Sequence, residues 1–403
     1  MEKEIKNTPW REKIYIEYMG CPQRALDARR LENYFIENGA MISKTPKNAD
    51  HILFISCAFR NTDENFAVKR IGELKKYKAR LVLGGCLKAI NKERLNEIFY
   101  GPTVETSALD QVDQLFPHFQ KKIEEISDAN RLYPRDKLQL LKLYASSIKK
   151  LDFNFLKPIS EFIKKKNPKR YWHVRAAWGC TKEHCTYCSV WKAVGELKSK
   201  PLDECVKEFR EGLKQGYINI LITADNLGAY GTDINLALPD LLEKLTEIKG
   251  DYSIQLENVH PFFIIKHLER LLPSFRSNKI RAVLCPIQSG SDRILALMNR
   301  RYKTEQIKRS LVKIKEASPG IELYTQIILG FPSETQAEFE ETLACVQEID
   351  FDFAHICGYH RRPNQDNKNL INQEIPCDTI KQRINETIKF FKKNKIGFFV
   401  YPE

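Results

Sequence analysis

Three cysteines, Cys180, Cys185 and Cys188, fall within nine residues of the stretch GCTKEHCTYC. Thiols clustered on one loop read as metal or redox chemistry. A structural zinc site closes with four ligands, and a 4Fe–4S cubane held wholly by protein takes four cysteines. Three thiols therefore mean either a partner elsewhere or a site left open. If they hold a cubane, its fourth iron lacks a protein ligand, and the amino and carboxylate groups of S-adenosylmethionine suit that position. One electron from the cluster then cleaves the C–S bond and releases a 5′-deoxyadenosyl radical. The cofactor supplies that chemistry, while the protein positions it and excludes water. The competing reading is a zinc knuckle with His184 as fourth ligand.

Three more cysteines are placed by the elements around them. The apolar runs KIYIEYMG, HILFISC and RLVLGGC have strand length and lead to Cys21, Cys57 and Cys86. Between them, RALDARRLENYFIENG and NFAVKRIGELKKYK have helical spacing. Alternating strand and helix signals argue for a parallel sheet covered by helices. The C-terminal ends of parallel strands share one edge, where ligands bind. Three thiols far apart in sequence can thus meet at one place, although three small buried residues would give the same pattern. Gly84–Gly85 permits either a tight turn or a close backbone approach there.

A second alternation begins at residue 171. The strand candidates are WHVRAAW, INILITAD, YSIQLEN, IRAVLCPI, IELYTQIILGF and FAHICGYH. Six strand–helix units fall short of the eight of a closed barrel, so a partial (β/α)6 TIM-like barrel is expected. The cysteine triplet follows its first strand, at the C-terminal mouth where barrel chemistry sits. After the sixth strand the sequence reads as one helix, CDTIKQRINETIKFFKKNK, and a short tail. Residues 111–170 read as a helical connector, and 146–170 hold eight Lys or Arg against two acids. The expected organisation is an N-terminal domain over 1–110, the basic connector over 111–170 and the barrel over 171–403. The fold class is α/β, with a Rossmann- or flavodoxin-like parallel sheet first.

The chain has 403 residues, 11 cysteines and a formal net charge of +13. No run of about 18 apolar residues could span a bilayer, and the N-terminus lacks the apolar core of a signal peptide. A cytoplasmic protein with no membrane partner is expected, where a reducing compartment makes a disulfide framework of the cysteines improbable. The charge favours an anionic partner such as nucleic acid, or reflects a lysine-rich solvated surface. Cys205, Cys285 and Cys345 lie in apolar patterns and read as small buried residues. No Ser–His–Asp set and no phosphate loop points to hydrolysis or nucleoside triphosphate use.

The ordered motifs resemble the radical S-adenosylmethionine methylthiotransferases over roughly residues 13–400. MGCPQRALD resembles the family's Gly-Cys with an Asp six places on, here Asp27. ISCAFR resembles its Asn-Thr-Cys-Ala-Val-Arg, and LGGCLKA its third cysteine motif. ADNLGAYGTD, PIQSGSDRILALMNRRY and IILGFPSET resemble its radical domain. The GAYGTD segment is most similar to the branch acting on a threonylcarbamoyl-modified adenosine of tRNA. The resemblance implies two 4Fe–4S clusters, one on Cys180, Cys185 and Cys188 and an auxiliary one on Cys21, Cys57 and Cys86. It implies one S-adenosylmethionine to methylate sulfur and a second to generate the radical, with C–H replaced by C–SCH3. Tyr187 resembles the aromatic that packs near the adenine, and Asn226, Gln288, Ser289 and Arg300 sit in motifs that orient S-adenosylmethionine or substrate.

Several positions depart from the family pattern. The family spaces its radical cysteines by three residues and then two, whereas this chain has four and then two. The Asp before Gly-Phe-Pro is Gln326, Arg-Pro-Gly-Thr becomes RRPNQ at 361–365, and Arg-Gly after the cluster is reduced to VGELKSKP. The family's small terminal β-barrel has no counterpart in the sequence, so no terminal TRAM domain is expected. That absence favours a peptide or protein side chain as substrate, including a ribosomally made precursor peptide (RiPP). The alternative is a modified adenosine near the tRNA anticodon. A different class of reading is a non-catalytic, metal-containing RNA-binding protein. A monomer served by an electron donor such as flavodoxin or ferredoxin completes the expectation.

Overall fold

The computed structural model describes residues 11–132, 171–363 and 365–401. They divide between two compact units, Met1–Phe59 with Asp63–Ala129, and Arg60–Thr62 with Asn130–Glu403.

The first unit runs β1 (Lys13–Tyr18), α1 (Pro22–Glu37), β2 (Met41–Ile42), β3 (His51–Ser56), α2 (Asn61–Leu74), β4 (Arg80–Gly85), α3 (Leu87–Ile90), α4 (Lys92–Ile98), β5 (Thr103–Glu105) and α5 (Gln111–Leu115). Its sheet has the order β2-β1-β3-β4-β5 with every pairing parallel. This is the flavodoxin-type order, whose ligand crevice opens where the order reverses, between β1 and β3. The central strands are covered on both faces, which is why Ile52–Ile55 and Leu81–Leu83 form continuous buried runs. The sequence indicated three strands here. The additional β2 and β5 are two and three residues long, too short for a period-2 signal.

Residues 111–129 belong to this unit. The Phe116 and Phe119 rings stack at 5.4 Å, with Phe116 edge-on to Phe35 at 5.0 Å and Phe119 edge-on to Tyr34 at 5.8 Å. Arg30 of α1 donates to the Ile126 and Ile123 carbonyls at 3.1 and 3.0 Å. The segment therefore seals α1. The strongly basic stretch anticipated as a connector helix, 137–170, lies outside the described residues.

The second unit contains β6 (Tyr171–Trp178), α6 (Trp191–Val194), β7 (Lys198–Ser199), α7 (Leu202–Lys214), β8 (Asn219–Ala224), α8 (Leu238–Glu247), β9 (Ser253–Leu256), α9 (Pro261–Arg276), β10 (Ile280–Leu284), α10 (Asp292–Leu297), α11 (Thr304–Ala317), β11 (Glu322–Leu329), α12 (Gln336–Ile349), β12 (Phe353–Gly358), α13 (Cys377–Lys393) and β13 (Gly397–Val400). The sheet order is β13-β12-β11-β10-β9-β8-β6-β7, parallel throughout except for β7. All six anticipated strands are present. The anticipated tail corrects to a seventh parallel strand, because Gly397–Val400 pairs with Phe353–Ile356. Among the described residues β13 and β7 do not pair with each other, so the barrel is open.

Alternate residues divide each strand between two faces. Val174, Ile220, Ile222, Ile254, Leu323, Ile327 and Ile356 join the core under the helices. Arg175, Thr223, Gln326 and Cys357, at the intervening positions, belong to the opposite, concave face. Among the described residues, no helix is long and apolar enough to cross a membrane.

Candidate functional site

In the second unit, β6 delivers the chain to Gly179, whose φ is +76°. A Cβ there would lie 2.1 Å from the Glu196 carbonyl oxygen, so only glycine lets the cysteine loop pass under the chain returning at 195–196. The Gly179 N–H donates to Asp225 Oδ2 at 3.0 Å, and the Cys180 N–H to the Gly195 carbonyl at 3.0 Å. The Cys188 N–H closes the end of the loop on the Cys185 carbonyl at 3.1 Å. From the other side, Thr186 donates its N–H to Met298 O at 3.2 Å and its hydroxyl to Leu297 O at 2.8 Å.

Cys185 lies close enough to Cys180 and Cys188 to raise the pKa of both. Burial is the larger cause for Cys188, pushed up to about 12, with Cys185 and Cys180 adding to it. Burial also raises Cys180. The protein alone thus favours the neutral thiol at Cys180 and Cys188, and a bound metal would have to draw off those protons, as coordination does. Two donors already point at sulfur: Asn226 Nδ2 is 3.7 Å from Cys180 Sγ, and Arg300 Nη1 is 3.6 Å from Cys185 Sγ. Burial works against the Arg300 charge, but the Tyr187 and Tyr302 hydroxyls and the Cys185 thiol outweigh it and keep its pKa raised.

Sequence placed Tyr187, Asn226, Gln288, Ser289 and Arg300 at this mouth. Arg300 Nη1 also reaches the Tyr187 hydroxyl at 3.2 Å, and its Nη2 donates to the Pro286 carbonyl. Gln288 has a left-handed φ of 68° and is held on both sides, its N–H on Gln326 O at 2.8 Å and its carbonyl accepting from Ile328 N–H at 2.9 Å. Ser289 serves the turn instead: its hydroxyl accepts from the Ser291 N–H at 3.1 Å and contacts the Thr342 hydroxyl at 3.3 Å. Asn226 Oδ1, Gln288 Oε1 and Arg300 Nε are buried without a hydrogen-bond partner. Buried polar atoms normally find partners, so three orphans, two of them on residues that also reach a cysteine sulfur, fit a polar cofactor.

His184 is engaged at its ring face and at Nε2, while Nδ1 is buried without a hydrogen-bond partner. Its ring stacks on Trp191 with centroids 3.7 Å apart, and Nε2 is 2.8 Å from Asp366 Oδ2. Among the described residues, no three His, Cys, Asp or Glu side chains converge as a site for a single metal ion. A cubane presents its irons at the corners of a larger body and needs no such convergence.

In the first unit, Cys21 follows β1 and occupies the N-cap of α1, Cys57 follows β3, and Cys86 follows β4. Two glycines clear the way. A Cβ on Gly85, φ +89°, would meet the Ser56 carbonyl oxygen at 2.1 Å, and one on Gly20, φ +120°, would meet Cys57 Sγ at 3.3 Å. Burial raises the Cys57 thiol well above its usual value, with Asp63, Cys86 and Cys21 contributing after it. Three thiols from three strand ends therefore sense one another at one sheet edge. Asp27 of the first motif pairs with Arg24 one turn before it on α1 at 3.3 Å, both nearly fully buried.

Three residues of the barrel mouth were not singled out in the sequence as site residues in these roles. Trp191 is the platform under His184, Asp366 is that histidine's partner, and His260 caps α9 by accepting the Phe262 N–H at Nδ1, 3.2 Å. Burial, and then the Arg300 charge, hold His260 well below the usual histidine range, so it is neutral. Only His260 had a local signal, the His-Pro start of a helix.

Residues 13–104 match the Uncharacterized protein family UPF0004, and residues 179–346 the Radical SAM superfamily. A probable threonylcarbamoyladenosine tRNA methylthiotransferase of Pyrococcus horikoshii is 27% identical over 87% of this chain and 77% of its own length. A tRNA-2-methylthio-N(6)-dimethylallyladenosine synthase of Anoxybacillus flavithermus is 30% identical over 92% of this chain and 68% of its own. Among solved structures, the radical S-adenosylmethionine methyltransferase TsrM of Kitasatospora setae shares the fold, with a TM-score of 0.62 at 12% identity over 89% of this chain and 77% of that one.

Proposed function

The chain belongs to the radical S-adenosylmethionine methylthiotransferase family, and we propose that it installs a methylthio group on a modified adenosine of tRNA, near the anticodon. The family's members use S-adenosylmethionine and two 4Fe–4S clusters. The radical cluster belongs on Cys180, Cys185 and Cys188, and the auxiliary cluster on Cys21, Cys57 and Cys86. The observation that carries this reading is the presence of two separate groups of mutually interacting thiols, one in each unit. When bound, the first cluster and S-adenosylmethionine supply the hydrogen-abstracting radical, and the second holds the sulfur to be transferred.

The chain's own residues orient and shield. Arg300 and Asn226 present N–H groups to Cys185 and Cys180, lowering the cost of thiolate charge in a buried place. Asn226 Oδ1, Gln288 Oε1 and Arg300 Nε offer unused polar contacts to the amino, carboxylate and ribose groups of S-adenosylmethionine. Tyr187 supplies an aromatic wall beside them. Ser289 shapes the turn that carries Gln288 and does not itself reach the cofactor.

The expectation of a peptide substrate rested on finding no terminal barrel in the sequence. The comparisons give it no support, since both relatives described above are named for reactions on tRNA. The net charge of +13 suits a polyanion. A cytoplasmic setting and reduction by a flavodoxin or ferredoxin accompany this reading. The test is to reconstitute the protein with iron and sulfide and supply S-adenosylmethionine, a reductant and either tRNA lacking the methylthio group or candidate peptides. Mass spectrometry of the nuclease digest should show a methylthioadenosine derivative. A methylthio group on a peptide, with unchanged tRNA, would overturn the choice of substrate.

A further inference from the structure

Two departures from the family pattern meet in space. The chain carries one more residue than the family between Cys180 and Cys185, and it carries RRPNQ at 361–365 where the family has Arg-Pro-Gly-Thr. His184, the last residue of the longer spacing, bonds through Nε2 to Asp366, immediately after the altered motif, at 2.8 Å. We propose that His184 and Asp366 form a clamp that positions Cys185 for cluster binding, so that the longer cysteine loop and the altered strap segment work only together. This rests on the reading that Cys180, Cys185 and Cys188 hold a cluster.

The strap lies along the loop. The Asp366 N–H donates to Thr186 O at 3.0 Å, the Gln365 side chain donates to Tyr187 O, and the Ser189 hydroxyl donates to Pro363 O at 2.9 Å. The strap is itself stiffened. Asn367 Nδ2 donates to the Tyr359 hydroxyl at 2.8 Å, which donates to Gln365 Oε1 at 3.0 Å, and Arg361 Nη1 donates to Asn367 Oδ1 at 3.0 Å. Below the loop, Trp191 covers one face of the His184 ring, and Asn299 Nδ2 donates to the His184 carbonyl at 2.9 Å. The residue next to Cys185 is therefore fixed through its ring face, its ring nitrogen and its carbonyl.

The physical need is clear. An added loop residue brings two further backbone torsions between two ligands of one cluster, and a ligand that wanders weakens the site. Groups behind the first ligands hold metal sites in register and are worth 10- to 100-fold in affinity by general experience. His184 is thus a positioning residue. Nε2 is held by Asp366 and, among the described residues, no three ligating side chains converge on a single metal, so the effect of His184 is assigned to the iron through Cys185.

The test uses the full-length chain carrying Cys21→Ala, Cys57→Ala and Cys86→Ala, so that all bound iron reports on one site. His184→Ala, Asp366→Leu and the double variant are reconstituted and compared for iron loss to a chelator, for the electron paramagnetic resonance of the reduced cluster, and for circular dichroism. Each single variant should lose iron at least tenfold faster and show an altered resonance with unchanged secondary structure. The double variant should be no worse than the singles, because one contact is lost in all three. If His184→Ala misfolds, Asp366→Leu, which keeps about the side-chain volume but has no acceptor for His184 Nε2, decides alone. Iron loss and resonance within twofold of the parent, or a double variant whose defects multiply, would overturn the clamp. If further replacement of Cys180, Cys185 and Cys188 by Ala leaves bound iron unchanged, the cluster assignment itself fails, a different outcome.

Discussion

Arg300 Nη1 lies 3.6 Å from Cys185 Sγ and 3.2 Å from the Tyr187 hydroxyl, so one buried guanidinium touches both a thiol and the aromatic of the cysteine loop. Its other arm rests on the Pro286 carbonyl. A planar fork can hold three partners at fixed angles, and an ammonium cannot. Arg300→Lys is therefore expected to slow cleavage of S-adenosylmethionine at least tenfold, about 1.4 kcal/mol. Quantifying 5′-deoxyadenosine under single-turnover conditions checks this. A rate within twofold of the parent would assign Arg300 to packing alone.

The glycines beside the thiols make a paired prediction. Gly179→Ala would drive a methyl into the Glu196 carbonyl, and Gly85→Ala would drive one into the Ser56 carbonyl, since each oxygen lies 2.1 Å from where the Cβ would sit. Both positions also have φ in the left-handed region. Gly179→Ala should lose iron from the Cys180 site and spare the Cys21 site, and Gly85→Ala should do the reverse. Iron counts in the presence of the opposite triple-alanine change separate the two pools.

How much of this was legible follows from local signal strength. The strands leading to Cys57 and Cys86 are buried on both faces, so their composition alone marked them, and β1 before Cys21 was marked by its apolar Ile14, Ile16 and Tyr18. Gly179 and Cys180 follow β6 directly, which placed the triplet at the barrel mouth. β13 was not legible because four residues, GFFV, carry no periodicity. Its strand character comes from pairing with β12. Phe116, Phe119, Ile123 and Ile126 give an apolar spacing that fits a helix, yet their rings turn onto Tyr34 and Phe35, a choice made by tertiary contact. The left-handed Gln288 and the stacking of His184 on Trp191 depend equally on partners far along the chain.

The start of α12, directly after the family-like GFPSET segment, predicts an acid sensitivity. Glu338 accepts from Arg293 Nε and Nη2 at 2.7 Å each, and from the Thr335 N–H at 2.9 Å and the Ser291 hydroxyl at 3.0 Å. The Arg293 bonds, against the cost of burial and with help from Thr335 and Ser291, lower its pKa to about 2. A carboxyl whose pKa is lowered by folding stabilises the fold fully above its unfolded value, and that stability is lost as pH falls through the folded value. Allowing for the exposed half of Arg293, Glu338→Gln should cost about 2 kcal/mol at pH 7. Thermal unfolding of parent and variant should differ most at neutral pH and converge as pH falls from about 4.5 toward 2. A constant gap across that range would contradict the assignment.

The central claim is that one chain holds two cysteine sites with divided labour, one generating the radical and one supplying sulfur to tRNA. The most direct measurement compares the parent with the Cys21→Ala, Cys57→Ala, Cys86→Ala variant, both reconstituted and given S-adenosylmethionine, reductant and tRNA. 5′-Deoxyadenosine and methylthioadenosine derivatives are quantified in the same samples. The expected result is that the parent forms both products, while the variant still forms 5′-deoxyadenosine and no methylthio nucleoside. A variant that methylthiolates tRNA as the parent does would contradict the claim, because the sulfur would then come from somewhere other than the Cys21 site.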